Sequence, residues 1–164
     1  MRLETERLQL LMSQGKRAAL VFFLLATLAC LGCDQLTKNL ARTHLDAGGL
    51  GPSLAFGTVQ FTLAQNPGAF MSIGSALPGS VRQIAFLVCL PVVMLGLSIA
   101  FLRQPLLSTA EATALACVVG GGVGNWLDRL LNGGAVTDFV IVGIGPIRSG
   151  VFNVADLAIL FGAG

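Results

Sequence analysis

Ala18-Ala19-Leu20-Val21-Phe22-Phe23-Leu24-Leu25-Ala26-Thr27-Leu28-Ala29-Cys30-Leu31-Gly32-Cys33 is a run of sixteen residues without a charge, and it leads directly into Asp34-Gln35-Leu36-Thr37-Lys38. An α-helix rises ~1.5 Å per residue, so this run reaches roughly 24 Å, short of the ~30 Å hydrocarbon core of a bilayer. The helix is therefore expected to continue through the polar residues, spanning about 18–37 and carrying Asp34 and Lys38 to a membrane surface. The rest of the chain suits the same solvent. It is 54% hydrophobic and only 11% charged, with a mean hydropathy of +0.81. Soluble domains carry about 25% charged residues, and this chain has too little polar surface for a water-exposed globule. The sequence is read as an α-helical integral membrane protein.

Working outward, a second span is expected at about 82–102, with Pro91 as a tolerated kink and Arg103 closing it. A third is expected at about 108–128, with Glu111 near one end and Asn125 near the other. The fourth begins near 151 and stops with the chain at Gly164. Residues 1–16 read as a polar tail and 17–164 as a single domain. Four spans put segments 39–80 and 129–150 on one side of the bilayer. Each holds a strand candidate. Val59, Phe61 and Leu63 alternate with Thr58, Gln60, Thr62 and Ala64, and Ala135–Val142 lies between Asn132-Gly133-Gly134 and Gly145-Pro146. Together they predict one small surface sheet. Basic residues divide evenly between the two sides, so Lys16-Arg17, which abut the first helix, decide the orientation. The N-terminus is placed in the cytoplasm and the strands on the extracytoplasmic side.

Several function classes fall away. Net charge is +2 with no basic block, which gives no argument for nucleic acid. The four cysteines, Cys30, Cys33, Cys89 and Cys117, lie in apolar runs and suit packing better than disulfides. Cys30 and Cys33 form a C-x-x-C, but no second pair exists and His44 is the sole histidine. No metal site and no cofactor are expected. Leu31-Gly32-Cys33 after a basic and apolar start resembles a lipoprotein signal peptide, yet such a protein has no use for three further spans.

The acidic residues carry the functional signal. Glu4 and Glu6 lie in the tail, Asp46 in a loop, and Glu111 at a helix start where the dipole favours it. Asp34, Asp128, Asp138 and Asp156 remain, all at the same ends of spans or strands. Ionisable groups in a membrane cost ~2.5–3.5 kcal/mol each on insertion scales, so their convergence calls for a purpose. Asp34 and Lys38 are four apart and suit a stabilising pair. Asn125 and Arg129 share one helical face, as do Asn153 and Asp156. Asp128 can pair locally or reach Lys38, and from spacing alone Asp128-Arg129 reads as a helix-end ion pair. The glycines at 120–122 and 124 read as close helix packing. Asp138, in Val136-Thr137-Asp138-Phe139, is set among apolar neighbours that raise a carboxyl pKa. Two carboxylates in one dry site share a proton and supply an acid and a base together. Such a pair can activate water against a peptide carbonyl. A single histidine disfavours Ser-His and Cys-His schemes, and a Ser-Lys pair through Lys38 lacks a marked serine. A transporter with relay acids, or a scaffold with helix-end pairs, remains the rival reading; the former wants mid-bilayer acids and internal repeats.

Five blocks in order resemble the lipoprotein signal peptidase (signal peptidase II) family: Asp34-Gln35-Leu36-Thr37-Lys38, Asn66-Pro67-Gly68-Ala69-Phe70, Gly121-Gly122-Val123-Gly124-Asn125-Trp126-Leu127-Asp128-Arg129, Val136-Thr137-Asp138-Phe139 and Phe152-Asn153-Val154-Ala155-Asp156. The likeness covers roughly residues 16–164. It implies four transmembrane helices with a small extracytoplasmic β-cradle, in the bacterial cytoplasmic (inner) membrane. It implies an aspartyl endopeptidase that cuts signal peptides from prolipoproteins before a diacylglyceryl-modified cysteine. Asp138 and Asp156 match the family's catalytic aspartates. Asp34, Lys38, Asn66, Gly68, Gly121, Asn125, Arg129, Asn153 and Ala155 match positions that line or support the site. Of these, Asn125 and Arg129 would hold the substrate backbone and Asn153 would orient the aspartates. The implied partners are prolipoprotein substrates, membrane phospholipids and globomycin-type inhibitors. The chain departs from the family in ending at Gly164, where members complete the fourth helix and add a basic tail.

Overall fold

The first helix does not stop where its apolar run ends. In the computed structural model, which describes residues 2–104 and 108–164 with side chains from residue 15 onward except at position 71, α1 runs Arg2–His44. The polar tail continues this helix in backbone, and its side chains up to residue 14 lie outside the described residues. Residues Gly15–His44 of α1 are long and apolar enough to cross a membrane. So is the second helix, α2, at Gly79–Leu102. Within α2, Ile84–Cys89 is wound as a π-helix just before Pro91. Proline has no N–H for the carbonyl four residues back, that of Leu87. The indole Nε1 of Trp126 donates to that oxygen at 3.2 Å, tying α2 to the third helix.

The third helix, α3, spans Thr109–Leu131 and opens on a capping box. The Ser108 hydroxyl accepts the Glu111 N–H at 3.2 Å, and the Glu111 carboxylate accepts the Ser108 N–H at 3.1 Å. Glu111 therefore serves the helix start, as its position predicts. The fourth helix, α4, is a shorter apolar element at Val154–Ala163. α3 is central and packs along both α1 and α4. Its glycines permit this: a Cβ on Gly120 would lie 2.7 Å from the Cys30 Cβ, and one on Gly121 would lie 2.5 Å from the Ala155 carbonyl oxygen. An apolar core of Phe23, Phe101, Ala112 and Ala116 joins the first three helices at the end away from the sheet.

The sheet contains the two predicted strands and two more. Its order is β1 (Leu50–Leu54), β2 (Val59–Asn66), β3 (Val136–Ile144), β4 (Ile147–Arg148), with antiparallel neighbours. β1 has no alternation to predict it, since Leu-Gly-Pro-Ser-Leu is an edge strand held by its partner. In β2 the alternation is real, but the polar face is the deeper one. Thr62 and Asn66 are buried, whereas Val59, Phe61 and Leu63 are only half-buried. The register slips between Phe61 and Ala64, and beyond that bulge Ala64 faces Asp138. After β4 the chain returns to β3. Phe152 and Val140 exchange both backbone hydrogen bonds at 2.9 Å, so Asn153 enters α4 beside Asp138.

Candidate active site

The start of α4 is built by its own sequence. Asn153 is the N-cap, and its side-chain oxygen accepts the Asp156 N–H at 2.9 Å. In return Asp156 Oδ2 accepts the Asn153 N–H at 3.2 Å. This capping box fixes Asp156 in the first turn, where the helix dipole favours a negative group. Its other oxygen, Oδ1, accepts Asn125 Nδ2 from α3 at 2.8 Å.

Asp138 reaches the same point from the sheet. Asn153 Nδ2 donates to Asp138 Oδ1 at 2.6 Å, and Asn66 Nδ2 donates to Asp138 Oδ2 at 2.8 Å. One asparagine thus touches both carboxylates, through its side-chain amide on Asp138 and its backbone N–H on Asp156. Asp138 is 1% exposed and Asp156 is 6% exposed. Burial pushes the Asp138 carboxyl up to about 6, and the neighbouring Asp156 charge adds to the rise; the two amide donors and the Lys38 charge oppose it. A carboxyl with that value exchanges its proton near neutral pH, which suits acid–base work.

Asn66 also shapes the turn after β2. Its side-chain oxygen accepts the Gly68 N–H at 2.8 Å. A Cβ on Gly68 would fall 2.6 Å from the Ile73 carbonyl oxygen, so only glycine fits there. The Gly68 carbonyl accepts Arg129 Nη2 at 2.6 Å, while Arg129 Nη1 donates to the Asn125 carbonyl at 3.1 Å. The guanidinium also stacks over Phe86 of α2, 4.6 Å from the ring centre. Arg129 therefore does not form the helix-end pair with Asp128 that their adjacency suggested. The helical turn sends the two side chains apart, and Asp128 pairs with α1 instead.

That second grouping lies behind the first. Lys38 Nζ is 2.8 Å from Asp34 Oδ2, 3.3 Å from Asp128 Oδ2 and 2.8 Å from Asn125 Oδ1. Asp34 Oδ1 accepts the Ala155 N–H at 3.0 Å. Arg42 Nη2 lies 2.9 Å from Asp128 Oδ1 and donates to the Thr137 hydroxyl at 2.7 Å. All eleven positions named from the sequence surround this cluster, with Gly121 and Ala155 forming its α3–α4 contact. Sequence reasoning passed over Arg42 and Thr137. Arg42 was legible, since residues 34, 38 and 42 form one stripe at a spacing of four along α1. Thr137 was not, because its role depends on sheet placement.

A cavity of about 280 Å³ opens against the cluster, with Phe70, Phe86 and Met94 among its apolar walls and Asn125, Arg129 and Asp156 at its polar end. Among the described residues no cluster of His, Cys, Asp and Glu could hold a metal ion. Cys30 and Cys117 approach with their sulfurs 3.8 Å apart as free thiols.

Apolar helices outside, a buried polar cluster inside and a small sheet at one end give the architecture of a membrane protein built around a polar site. A solved bacterial membrane enzyme matches with a TM-score of 0.74 over 86% of this chain and 82% of its own, at 23% identity, a likeness of fold alone. Sequence comparison is more specific. The profile described as Signal peptidase (SPase) II matches residues 26–164. A lipoprotein signal peptidase of Azoarcus sp. (strain BH72) is 35% identical over 153 residues, covering 92% of this chain and 84% of the relative. One from Hydrogenovibrio crunogenus is 38% identical over 130 residues, covering 79% and 73%. The chain belongs to the signal peptidase II family, as its five blocks led us to expect. It is a membrane protein and a protease.

Proposed function

We propose that this chain is an intramembrane aspartyl endopeptidase that removes the signal peptide from diacylglyceryl-modified prolipoproteins, cutting before the lipidated cysteine. The observation that carries the proposal is the Asn153 bridge, in which one residue holds two buried carboxylates from separate elements, Asp138 by its side-chain amide and Asp156 by its backbone N–H. Asp138 and Asp156 share one proton. The ionised member takes a proton from water as that water attacks the scissile carbonyl. The protonated member gives its own to the carbonyl oxygen and then, as the tetrahedral intermediate collapses, a proton passes to the leaving nitrogen. Water is consumed, one acid and one amine are released, and the pair returns to its starting charge. No cofactor is needed.

The family relatives named as lipoprotein signal peptidases support this substrate class. The apolar cavity beside Asp156 suits an acyl or signal-helix segment lying among membrane phospholipids. Arg129 and Asn125 hold substrate backbone at its polar end, and the strands clamp the extended residues around the cut by adding backbone hydrogen bonds. The helices lie in the bacterial inner membrane, α1 to α3 crossing it and the shorter α4 entering it, with the N-terminus cytoplasmic and the sheet on the extracytoplasmic side.

Purified chain in lipid, given a diacylglyceryl-modified prolipoprotein, is expected to produce the mass of a product beginning at the lipidated cysteine. A globomycin-type inhibitor blocks it. Asp138→Asn and Asp156→Asn are each expected to lower cleavage by roughly 10²–10⁴-fold while remaining folded in membrane. Near-normal turnover in either variant refutes the carboxylate pair.

A further inference from the structure

Two carboxylates that play no direct part in the chemistry proposed above sit in matching places. Asp34 Oδ1 accepts the backbone N–H of Ala155, the residue before Asp156. Asp128 Oδ2 accepts the backbone N–H of Thr137, the residue before Asp138, at 2.8 Å. Both carboxylates are held by one ammonium, that of Lys38, which is itself wholly buried. An ammonium has three N–H bonds and no acceptor. Here its three partners are Asp34, Asp128 and the Asn125 side-chain oxygen. That last contact sets the Asn125 amide, because a flipped amide would aim its NH₂ at the ammonium and at Asn153 Nδ2, 3.1 Å away. With the oxygen facing Lys38, the amide nitrogen faces Asp156.

We propose that Asp128, braced by Arg42 and joined through Lys38 to Asp34, is a positioning residue that fixes the spacing of the Asp138 and Asp156 carboxylates. The role rests on the peptidase reading above and extends it. A strand and a helix from different parts of the chain carry the two reacting groups, and backbone hydrogen bonds between them end at Phe152, whose carbonyl accepts the Phe139 and Val140 N–H groups. The Asp34–Lys38–Asp128 frame supplies a second connection, gripping each element one residue before its carboxylate. Arg42 reaches Asp128 from the partly exposed side and also holds the Thr137 hydroxyl, so β3 is fixed by backbone and side chain together. Burying three charges costs several kcal/mol per ion before pairing, so a frame of this kind is a poor route to stability alone. Registering two groups to within a fraction of an ångström is a better use, since a displacement of 1 Å can cost on the order of 10²-fold in rate.

Full-length Asp128→Asn in lipid, with active sites counted by titration with a globomycin-type inhibitor, is expected to lose on the order of 10²-fold in kcat with KM for the prolipoprotein unchanged. Arg42→Gln, which leaves Lys38 and both of its carboxylates in place, is expected to lose several-fold in kcat, and Arg42→Lys to recover part of it. A second measurement needs no turnover. The infrared carboxyl band that Asp138→Asn removes is expected to change frequency in Asp128→Asn, or in Arg42→Gln if Asp128→Asn does not fold. The inference is overturned if kcat per titrated site stays within twofold of wild type in the folded variants and that band is unmoved. A loss accounted for entirely by fewer titrated sites also overturns it. If the wild-type chain cleaves no prolipoprotein, the proposed function fails instead, and the band decides the frame by itself.

Discussion

The two halves of α1 are mirror images in chemistry. Toward the N-terminal side, Leu25 and Leu28 are each 62% exposed, with Val21 at 55%. Further along the same helix, Asp34 and Lys38 are 0% exposed. A helix in water would bury the leucines and show the charges. This one does the reverse within a single continuous element, because its surroundings change along its length. The apolar half faces lipid, where no hydrophobic force drives leucines inward. The polar half faces α3 and α4, where each charge finds charged or amide partners at hydrogen-bond distance. Burial in this protein follows partnership, with hydropathy deciding only what is left for the bilayer.

The sharpest way to break this contrast is to remove a partner from the buried half. Asp34→Ala leaves Lys38 with one carboxylate fewer and frees the Ala155 N–H. Breaking a buried pair costs about 3–5 kcal/mol, so thermal unfolding in detergent should show a loss of that size. An unchanged melting temperature would mean that the pair is not what holds the charges in place. The exposed half answers to a different solvent. Leu25→Lys is expected to reduce membrane insertion by about 2.5–3.5 kcal/mol, read as the inserted fraction, whereas Leu25→Phe should leave it unchanged.

Acidity sharpens the contrast at Asp138. Its carboxyl moves from 3.8 to about 6 on folding, so between those values the folded chain binds a proton that the unfolded chain has lost. Stability must therefore fall as pH rises through this window, by up to about 3 kcal/mol, and gain nothing below it. Asp138→Asn should flatten that part of the melting-temperature curve. A curve that rises between pH 4 and 6 in wild type, and loses that rise in the variant, would reverse the sign of the argument. The smallest stability change is expected at the helix cap. Asn153→Ala removes the N-cap oxygen and the bridge to Asp138, costing about 1 kcal/mol in unfolding but a much larger factor in cleavage. Equal losses in both measurements would reduce Asn153 to a cap.

Much of this arrangement is legible before any coordinates. The first two apolar helices follow from uncharged runs bounded by charges, though α1 runs on to His44 and α2 begins at Gly79, and the four-residue spacing of Asp34 and Lys38 places both on one face. The capping roles of Ser108 and Asn153 lie in simple patterns, each with an acid three residues on. Other features depend on partners that a linear reading does not supply. β1 carries Gly51 and Pro52 and exists because β2 offers it an edge. Thr62 and Asn66 are drawn inward by bonds to the Gly49 and Ala69 carbonyls and to Asp138, against the hydropathy of Val59 and Phe61. Adjacent Asp128 and Arg129 look like a pair until the helix turns them about 100° apart, one toward Lys38 and one toward Gly68.

One small vacancy has a wider effect. Because Pro91 offers no hydrogen to the Leu87 oxygen, that acceptor becomes a socket on the side of α2, and Trp126 is the plug. A smooth apolar rod beside a neighbour in lipid has little to stop it rolling about its long axis. The socket gives this rod an angular setting, and with it a fixed bearing for Phe86 and Met94 on the cavity wall. A missing backbone hydrogen thereby helps determine the shape of that cavity.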